Sequence, residues 1–175
     1  VVVAFILSGS RVFAQQVADG FDYPVGRPDA SGYYDAQNFG VSKHLGEDWN
    51  GRGGGNSDLG DPVYAVAHGR IAYAANAGRR WGNVIIINHV LPDGRQVNSL
   101  YGHLADMAIT SGTISRGDRI GSIGRGYDYG NGKFDYQNAA HLHFEIRTDT
   151  SKGVGPGYSS NTTGWTDPSE FIDAN

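Results

Sequence analysis

The sequence predicts a mostly β protein built as a single domain, and three observations carry this prediction. The 175 residues match the usual size of one domain. Hydrophobic residues make up 39% of the chain, which is enough apolar material to bury a core. The 27 glycines, together with many tyrosines and phenylalanines, favour short strands joined by tight turns over a bundle of helices.

The N-terminal residues 1–7 form an apolar run, VVVAFIL, that is too short to cross a bilayer, because a spanning helix takes about 20 residues. Val12 and Ala14 then resemble the small residues of a signal-peptidase site. We therefore predict that residues 1–14 are the remnant of a signal peptide, that residues 15–175 form the functional domain, and that the protein is exported to the periplasm or the extracellular space. A buried first strand is the alternative interpretation of the run.

Short strands alternate with turns through the middle of the chain. Glycine, proline and aspartate mark the turns, including a hairpin at Pro92-Asp93-Gly94. Asp167, Pro168 and Glu170 follow the order of an N-cap, a first helical residue and a capping glutamate, which predicts a short C-terminal helix. Strands are predicted at 63–66, 70–74, 84–88, 97–104, 119–123 and 141–147, loops and short strands at 20–60, and loops at 124–140 and 149–164.

Charge and composition exclude several classes of function. The formal net charge is −4 and lysine and arginine form no dense cluster, so nucleic acid is not expected as a partner. The absence of cysteine excludes a disulfide framework, a cysteine-type zinc finger and a cysteine nucleophile. No apolar run is long enough to predict a stable membrane span.

The histidines concentrate in three segments with the spacing of metal ligands. On a strand, residues 141, 143 and 145 project from one face, and residues 44 and 48 also share a face, so the two groups could converge on one ion. Zinc takes histidine nitrogen and carboxylate oxygen, and catalytic zinc sites use three protein ligands and one water. A His, Asp and His set fits this requirement and leaves other histidines for proton transfer. The three segments are His44 to Asp48, Tyr101 to Leu104, and His141 to Glu145.

Taken singly, these residues have ordinary explanations. A lone His-x-x-x-Asp pair is commonly only a surface pair. Glu47 alternates to the other face and is predicted to be a solvated charge. Glu145 is either a group that orients a metal ligand or an ordinary buried carboxylate. His68 and His89 are predicted to be structural or exposed.

Together, the three segments resemble the zinc peptidases of the M23 family, the lysostaphin/LytM type. The resemblance extends over about residues 20–172, and its motifs occur in the family's order. The supporting segments are Gly60–Ala67, Gly82–Ile86, Gly117–Gly121 and Asp167–Pro168. Two departures occur: residues 125–140 are longer than the usual turn before His-x-His, and Phe39 lies where some members carry a tyrosine before the first histidine, for which Tyr33 or Tyr34 is the candidate substitute.

The resemblance implies an antiparallel sheet that forms an open groove flanked by loops. It implies that one Zn²⁺ is held by His44, Asp48 and His143, and that His103 and His141 are the catalytic pair. The implied reaction is hydrolysis of peptide cross-links or bridges of peptidoglycan by a zinc-activated water, with peptidoglycan stem peptides as the partner. We expect a monomer.

Two functions from other classes remain open. Some relatives have lost metal ligands and act instead as non-catalytic regulators of other cell-wall hydrolases, but all five site residues are present in this sequence. A β-rich carrier domain that uses histidine to bind phosphate is the second alternative, and it does not explain Asp48 or a third histidine.

Overall fold

A computed structural model of the chain describes residues 16–78, 81–125 and 139–175. Within these ranges the chain forms a nine-stranded sheet and one α-helix, at the C-terminus, so the predicted mostly β fold is confirmed. The predicted signal-peptide remnant at 1–14 and most of the predicted loop at 124–140 lie outside the described residues. The elements are β1 (Tyr33–Gln37), β2 (Glu47–Gly51), β3 (Pro62–Tyr64), β4 (Gly69–Asn76), β5 (Asn83–Val90), β6 (Gln96–Met107), β7 (Thr113–Ile114), β8 (Arg119–Ile123), β9 (Leu142–Arg147) and α1 (Pro168–Ala174).

The sheet is open, and its paired strands run antiparallel. Its main path follows the order β1-β2-β9-β6-β5-β4-β7, while β8 pairs with β6 and β3. The C-terminal strand β9 therefore lies in the middle of the sheet, between β2 and β6. This arrangement brings three sequence segments that are far apart in the chain onto adjacent strands.

Helix α1 begins where the sequence predicts. The side chain of Asp167 accepts a hydrogen bond from the backbone N–H of Glu170 at 3.0 Å, and Pro168 occupies the first turn. This N-cap satisfies a donor that the helix cannot pair internally. Among the described residues, no helix has the length and hydrophobicity that crossing a bilayer takes.

The two faces of β9 have different environments. Leu142, Phe144 and Ile146 pack into the larger hydrophobic core. His143, Glu145 and Arg147 alternate with them and are also buried, but on the opposite face. Charged side chains are seldom buried in this way unless they are paired, so this face of β9 is a candidate for a functional site.

The prediction that Glu47 is a solvated charge is wrong. Glu47 pairs with Phe144 across β2 and β9, which directs its side chain to the core face, and it is only 2% exposed. Its carboxylate accepts hydrogen bonds from Trp49 Nε1 and from the backbone N–H of Ser169, both at 3.1 Å. Burial raises the pKa of Glu47 to about 7.

His68 and His89 are structural, as predicted. His89 is fully buried: its Nδ1 lies 2.9 Å from the carbonyl of His68 and its Nε2 lies 2.7 Å from Ser99 Oγ. His68 Nδ1 accepts a hydrogen bond from the backbone N–H of Arg116 at 3.1 Å. Both rings belong to the packing of the sheet and not to the histidine cluster described next.

Candidate metal centre and active site

The candidate metal centre lies on β2 and β9. Asp48 pairs directly with His143 in the antiparallel register, so the two side chains leave the same face side by side. His44 precedes β2 after a turn in which Ser42 and Lys43 have positive φ. At Gly46, an added Cβ would lie 2.3 Å from the carbonyl oxygen of Phe144, so only glycine allows the segment between His44 and Asp48 to approach β9 this closely.

Three potential ligand atoms form a compact triangle. His44 Nε2 lies 2.9 Å from His143 Nδ1, His143 Nδ1 lies 3.1 Å from Asp48 Oδ1, and His44 Nε2 lies 3.3 Å from that same oxygen. Tetrahedral zinc, with bonds of about 2.0–2.2 Å, separates its ligand atoms by roughly 3.3–3.5 Å. The triangle therefore has nearly the size of one face of a zinc tetrahedron.

The hydrogen bonds of the two rings decide which nitrogens face the centre of this triangle. His44 Nδ1 lies 3.1 Å from the backbone carbonyl of Gln37, which can only accept, so this nitrogen carries a proton. His143 Nε2 lies 2.8 Å from Glu145 Oε1, so this nitrogen donates as well. In the neutral rings, His44 Nε2 and His143 Nδ1 then present lone pairs to each other, and only a proton or a cation between them relieves the repulsion. The donor set fits a zinc ion.

The charges around His143 favour a cation. Burial alone would lower the pKa of this imidazole, but the hydrogen bonds with Asp48 and Glu145 outweigh it and raise the pKa to about 9. Burial likewise opposes ionisation of Asp48, and the hydrogen bonds with His143 and His44 hold the pKa of this carboxyl below its usual range. The carboxylates of Asp48 and Glu145 therefore stabilise a positive charge on the His143 ring when no metal is bound. The same negative charges favour a metal cation at the centre of the triangle.

His103 and His141 lie beside this triangle. The ring centroid of His103 is 4.7 Å from that of His141 and 5.9 Å from that of His143. His141 Nε2 lies 3.9 Å from Asp48 Oδ1. Burial lowers the pKa of His103 well below its ordinary value, and the neighbouring histidines lower it further.

Both of these rings hold the same tautomer. The Nδ1 of His103 lies 3.2 Å from the carbonyl of Trp81, and the Nδ1 of His141 lies 2.9 Å from the carbonyl of Ala139. Since a carbonyl only accepts, each Nδ1 carries a proton, and each neutral ring keeps an acceptor lone pair on Nε2. His103 also has a positive φ of 64°, in a strand whose pairing register shifts nearby, and such backbone strain is common at functional sites.

Two aromatic side chains of the cluster have no counterpart in the sequence prediction. The Trp81 ring stacks on His103 and meets His143 edge-on, with centroids 6.0 Å and 5.0 Å away. The Tyr158 ring stacks on His44 at 4.9 Å. Both come from segments without strand periodicity. The family resemblance indicated a tyrosine close to the first histidine, and Tyr158 occupies that position. Tyr33 and Tyr34, the residues predicted as substitutes, contact Asp61 and Arg52 instead.

The structure brings together all five predicted site residues, and comparison with known proteins identifies the fold that holds them. Residues 42–156 match the family model "Peptidase family M23". The chain belongs to this family. Members of the M23 family are zinc metallopeptidases, and the His-Asp-His triangle lies within the matched region of this member.

Curated relatives of this M23 protein include lipoproteins and activators. Lipoprotein NlpD of Yersinia enterocolitica is 34% identical over 98 residues, which are 55% of this chain and 87% of the relative. The murein hydrolase activator NlpD of Escherichia coli K12 is 32% identical over 110 residues, 59% of this chain and 25% of the relative. The chain thus spans about a quarter of that activator's length.

Solved structures agree on the fold of this M23 domain. Lysostaphin from Staphylococcus simulans superposes with a TM-score of 0.54 at 24% identity, covering 81% of this chain and 48% of the other. A mutant catalytic domain of the prophage-encoded M23 protein EnpA from Enterococcus faecalis gives 0.55 at 16% identity, covering 85% and 95%. At these identities the comparison establishes the fold alone.

Proposed function

We propose that this M23 protein is a zinc-dependent endopeptidase that hydrolyses peptide cross-links or bridges of peptidoglycan. One observation carries the proposal: a buried triangle of ligand atoms from His44, Asp48 and His143 lies next to two histidines whose Nε2 atoms can accept a proton. Membership of a family of zinc metallopeptidases supports the same reaction.

The atoms His44 Nε2, Asp48 Oδ1 and His143 Nδ1 would hold one zinc ion. When bound, zinc would lower the pKa of a coordinated water to about 7 and would polarise the scissile carbonyl. Burial of His44 and His143 keeps bulk water away from the ligand atoms and strengthens their electrostatic interactions.

His103 and His141 move the proton. Their Nδ1–H groups are engaged with the carbonyls of Trp81 and Ala139, so a proton from the attacking water can be accepted only at an Nε2. The imidazolium formed in this way can donate from the same atom to the leaving amine or to the carbonyl oxygen. Because both rings have this tautomer, the pair as a unit accepts the proton and returns it.

A non-catalytic activator of other cell-wall hydrolases is the second candidate, and the relatives favour it. The relative in Escherichia coli is named a murein hydrolase activator, at 32% identity. An activator requires no metal ligands and no proton acceptors, whereas all five residues are present and assembled here. The two functions make different demands on the zinc site, and this difference provides the test.

The deciding experiment incubates purified peptidoglycan with the zinc-loaded protein and analyses the fragments by mass spectrometry. An endopeptidase releases new amino and carboxyl ends within the peptides and no new sugar reducing ends, and the fragment masses identify the bond. The His141→Ala variant and the chelated wild type are the controls: the variant should be slower by about 10²–10⁴, and the chelated wild type should be inactive. An activator would release nothing alone but would stimulate a second hydrolase. New reducing ends with intact cross-links would contradict the endopeptidase proposal.

We also propose an envelope or extracellular location, because the relatives are lipoproteins and murein hydrolase activators and the proposed substrate is the cell wall. Residues 1–14 are then a signal-peptide remnant and residues 15–175 the peptidase domain. N-terminal sequencing of protein from its native host should give Gln15 as the first residue. A start at Val1 or before it would contradict this division.

A further inference from the structure

We propose that the buried pair of Glu145 and Arg147 positions His143 for metal binding, so that zinc affinity depends on two residues that do not touch the ion. The inference rests on the proposed function, because it takes His143 as a zinc ligand. In this role the pair makes the His143 ring rigid and takes no direct part in the reaction.

The pair lies on the same face of β9 as His143. Side chains two residues apart on a strand project in the same direction, so His143, Glu145 and Arg147 form one row. Each contacts the next: His143 Nε2 is 2.8 Å from Glu145 Oε1, and Arg147 Nε donates to Glu145 Oε2 at 2.7 Å. The row therefore runs as a chain of hydrogen bonds away from the metal-facing nitrogen of His143.

Glu145 fixes both the orientation and the tautomer of the His143 ring. One carboxylate oxygen accepts from His143, and the other accepts from Arg147 and from Trp165 Nε1 at 2.6 Å. With three donors around it, the fully buried carboxylate has little freedom to rotate. A carboxylate that accepts from the distal nitrogen of a metal-binding histidine keeps the ligand nitrogen deprotonated, orients the ring and raises its basicity.

Arg147 anchors Glu145 to the following loop. Its side chain is fully buried, and the terminal nitrogens of the guanidinium donate to the backbone carbonyls of Gly153 and Val154. The planar guanidinium holds the carboxylate and the loop in one fixed geometry, which a lysine ammonium cannot reproduce. The Trp165 ring lies 5.6 Å from the guanidinium carbon and closes the other side.

Stability alone explains this pair poorly. Burying two charges carries a desolvation cost that their attraction seldom exceeds, and apolar residues of the same volume often stabilise a fold as well or better. The row of hydrogen bonds ends on a candidate metal ligand, so positioning of His143 explains why these two charges are buried. Two explanations can therefore be separated, since a purely structural pair affects folding, whereas a positioning pair affects zinc affinity in the folded chain.

The test measures zinc affinity of the purified chain by competition with a chromophoric chelator, together with circular dichroism of the metal-free protein to establish that each variant is folded. Glu145→Gln keeps the side-chain shape and removes the charge, and it should weaken zinc binding by about 10–100-fold. Glu170→Gln makes the same change at an exposed position of α1 and should leave the affinity unchanged. Wild-type affinity in folded Glu145→Gln overturns the proposal.

The double variant Glu145→Gln/Arg147→Met covers the case in which Glu145→Gln fails to fold, because it removes both buried charges together. It should fold and still bind zinc about 10–100-fold more weakly than the wild type. Recovery of wild-type affinity in this variant would show a purely structural pair. If neither variant folds, imidazole ¹⁵N NMR of the zinc-loaded wild type decides: zinc on His143 Nδ1 with a proton on Nε2 supports the proposal, and zinc on Nε2 overturns it.

The same measurements separate this proposal from the proposed function. Weakened zinc binding in Glu145→Gln, with no release of peptide ends by the zinc-loaded wild type, would refute the endopeptidase and support the positioning pair. An active wild type with unchanged zinc affinity in the folded variants would refute the pair alone. A wild type that binds no zinc refutes both.

Discussion

The rings of His103 and His141 lie edge to face with their centroids 4.7 Å apart, and each donates its Nδ1 hydrogen to a backbone carbonyl. The pair has this geometry because the two residues lie on either side of Gly124, where an added Cβ would be 2.3 Å from the carbonyl oxygen of His103 and where His141 forms an isolated bridge. Main-chain contacts, and not side-chain flexibility, thus set the spacing of the two proton acceptors.

Removal of either ring should therefore spare the metal and slow the reaction. We expect His103→Ala and His141→Ala to bind one zinc each and to lose about 10²–10⁴ in rate, the usual contribution of a positioned acid or base. Zinc content by atomic absorption and initial rates on a wall-derived peptide check this. His68→Ala is the matched control, since His68 lies outside the cluster, and it should retain the wild-type rate. Loss of zinc in His103→Ala would place that residue among the ligands.

Substitution of the three proposed ligands should have a different effect from substitution of His103 or His141, because it should remove the metal. His44→Ala, Asp48→Ala and His143→Ala each remove one of three protein ligands, so each should lose both bound zinc and activity. Zinc content and initial rate are measured as for the His103 and His141 variants. All variants are purified by the same procedure, so that the two groups can be compared. A variant of this group with full zinc content and full rate would show that its residue is not a ligand.

Much of the site follows from the sequence because β9 is a strand. A two-residue period places His141, His143 and Glu145 on one face wherever the strand lies, so this part of the site needs no knowledge of the tertiary structure. Asp48 joins them because β2 is the neighbour of β9. The spacing of the motifs indicated only that the two groups could converge on one ion, and the family resemblance implied the ligand set. The N-cap at Asp167 is equally local and was predicted correctly.

The remaining contacts depend on segments that carry no periodic signal. Trp81 and Tyr158 reach the histidines from loops, and a loop's path is set by the packing of the whole fold. The error at Glu47 has the same origin: the sequence correctly places it on the face opposite Asp48, but the start of α1 at Ser169 covers that face. Burial of a strand position depends on what packs over it, and here that partner is 122 residues away.

Gly46 offers a test of the backbone approach that sets the metal centre. In Gly46→Ala the new Cβ would lie 2.3 Å from the carbonyl oxygen of Phe144, so β2 and β9 must separate between His44 and Asp48. We expect a loss of roughly 1–3 kcal/mol in the free energy of unfolding, measured by urea denaturation of the metal-free protein, together with weaker zinc binding. Gly153→Ala is the control, because an added Cβ meets open space there. Equal stability of the two variants would contradict the close approach.

Outside the site, His89 gives the fold a dependence on pH. Its ring is fully buried between the carbonyl of His68 and Ser99 Oγ, and burial lowers its pKa to about 4. In the unfolded chain a histidine titrates near 6.5. Between these two values the unfolded state binds more protons than the folded state, so the stability that neutral His89 contributes is fully present above pH 6.5 and is lost as the pH falls towards 4.

We therefore expect His89→Gln to remove part of the acid sensitivity of the protein. The variant will be less stable than the wild type at pH 7, because glutamine does not fill the space of the imidazole, but the difference should narrow by about 3 kcal/mol between pH 7 and pH 4. Urea denaturation of both proteins across this range, with chelator present so that zinc release plays no part, measures the difference directly. Other titrating groups are common to both chains and cancel in the comparison. Parallel pH curves for the two proteins would show that His89 can take up a proton in the folded state as readily as in the unfolded chain.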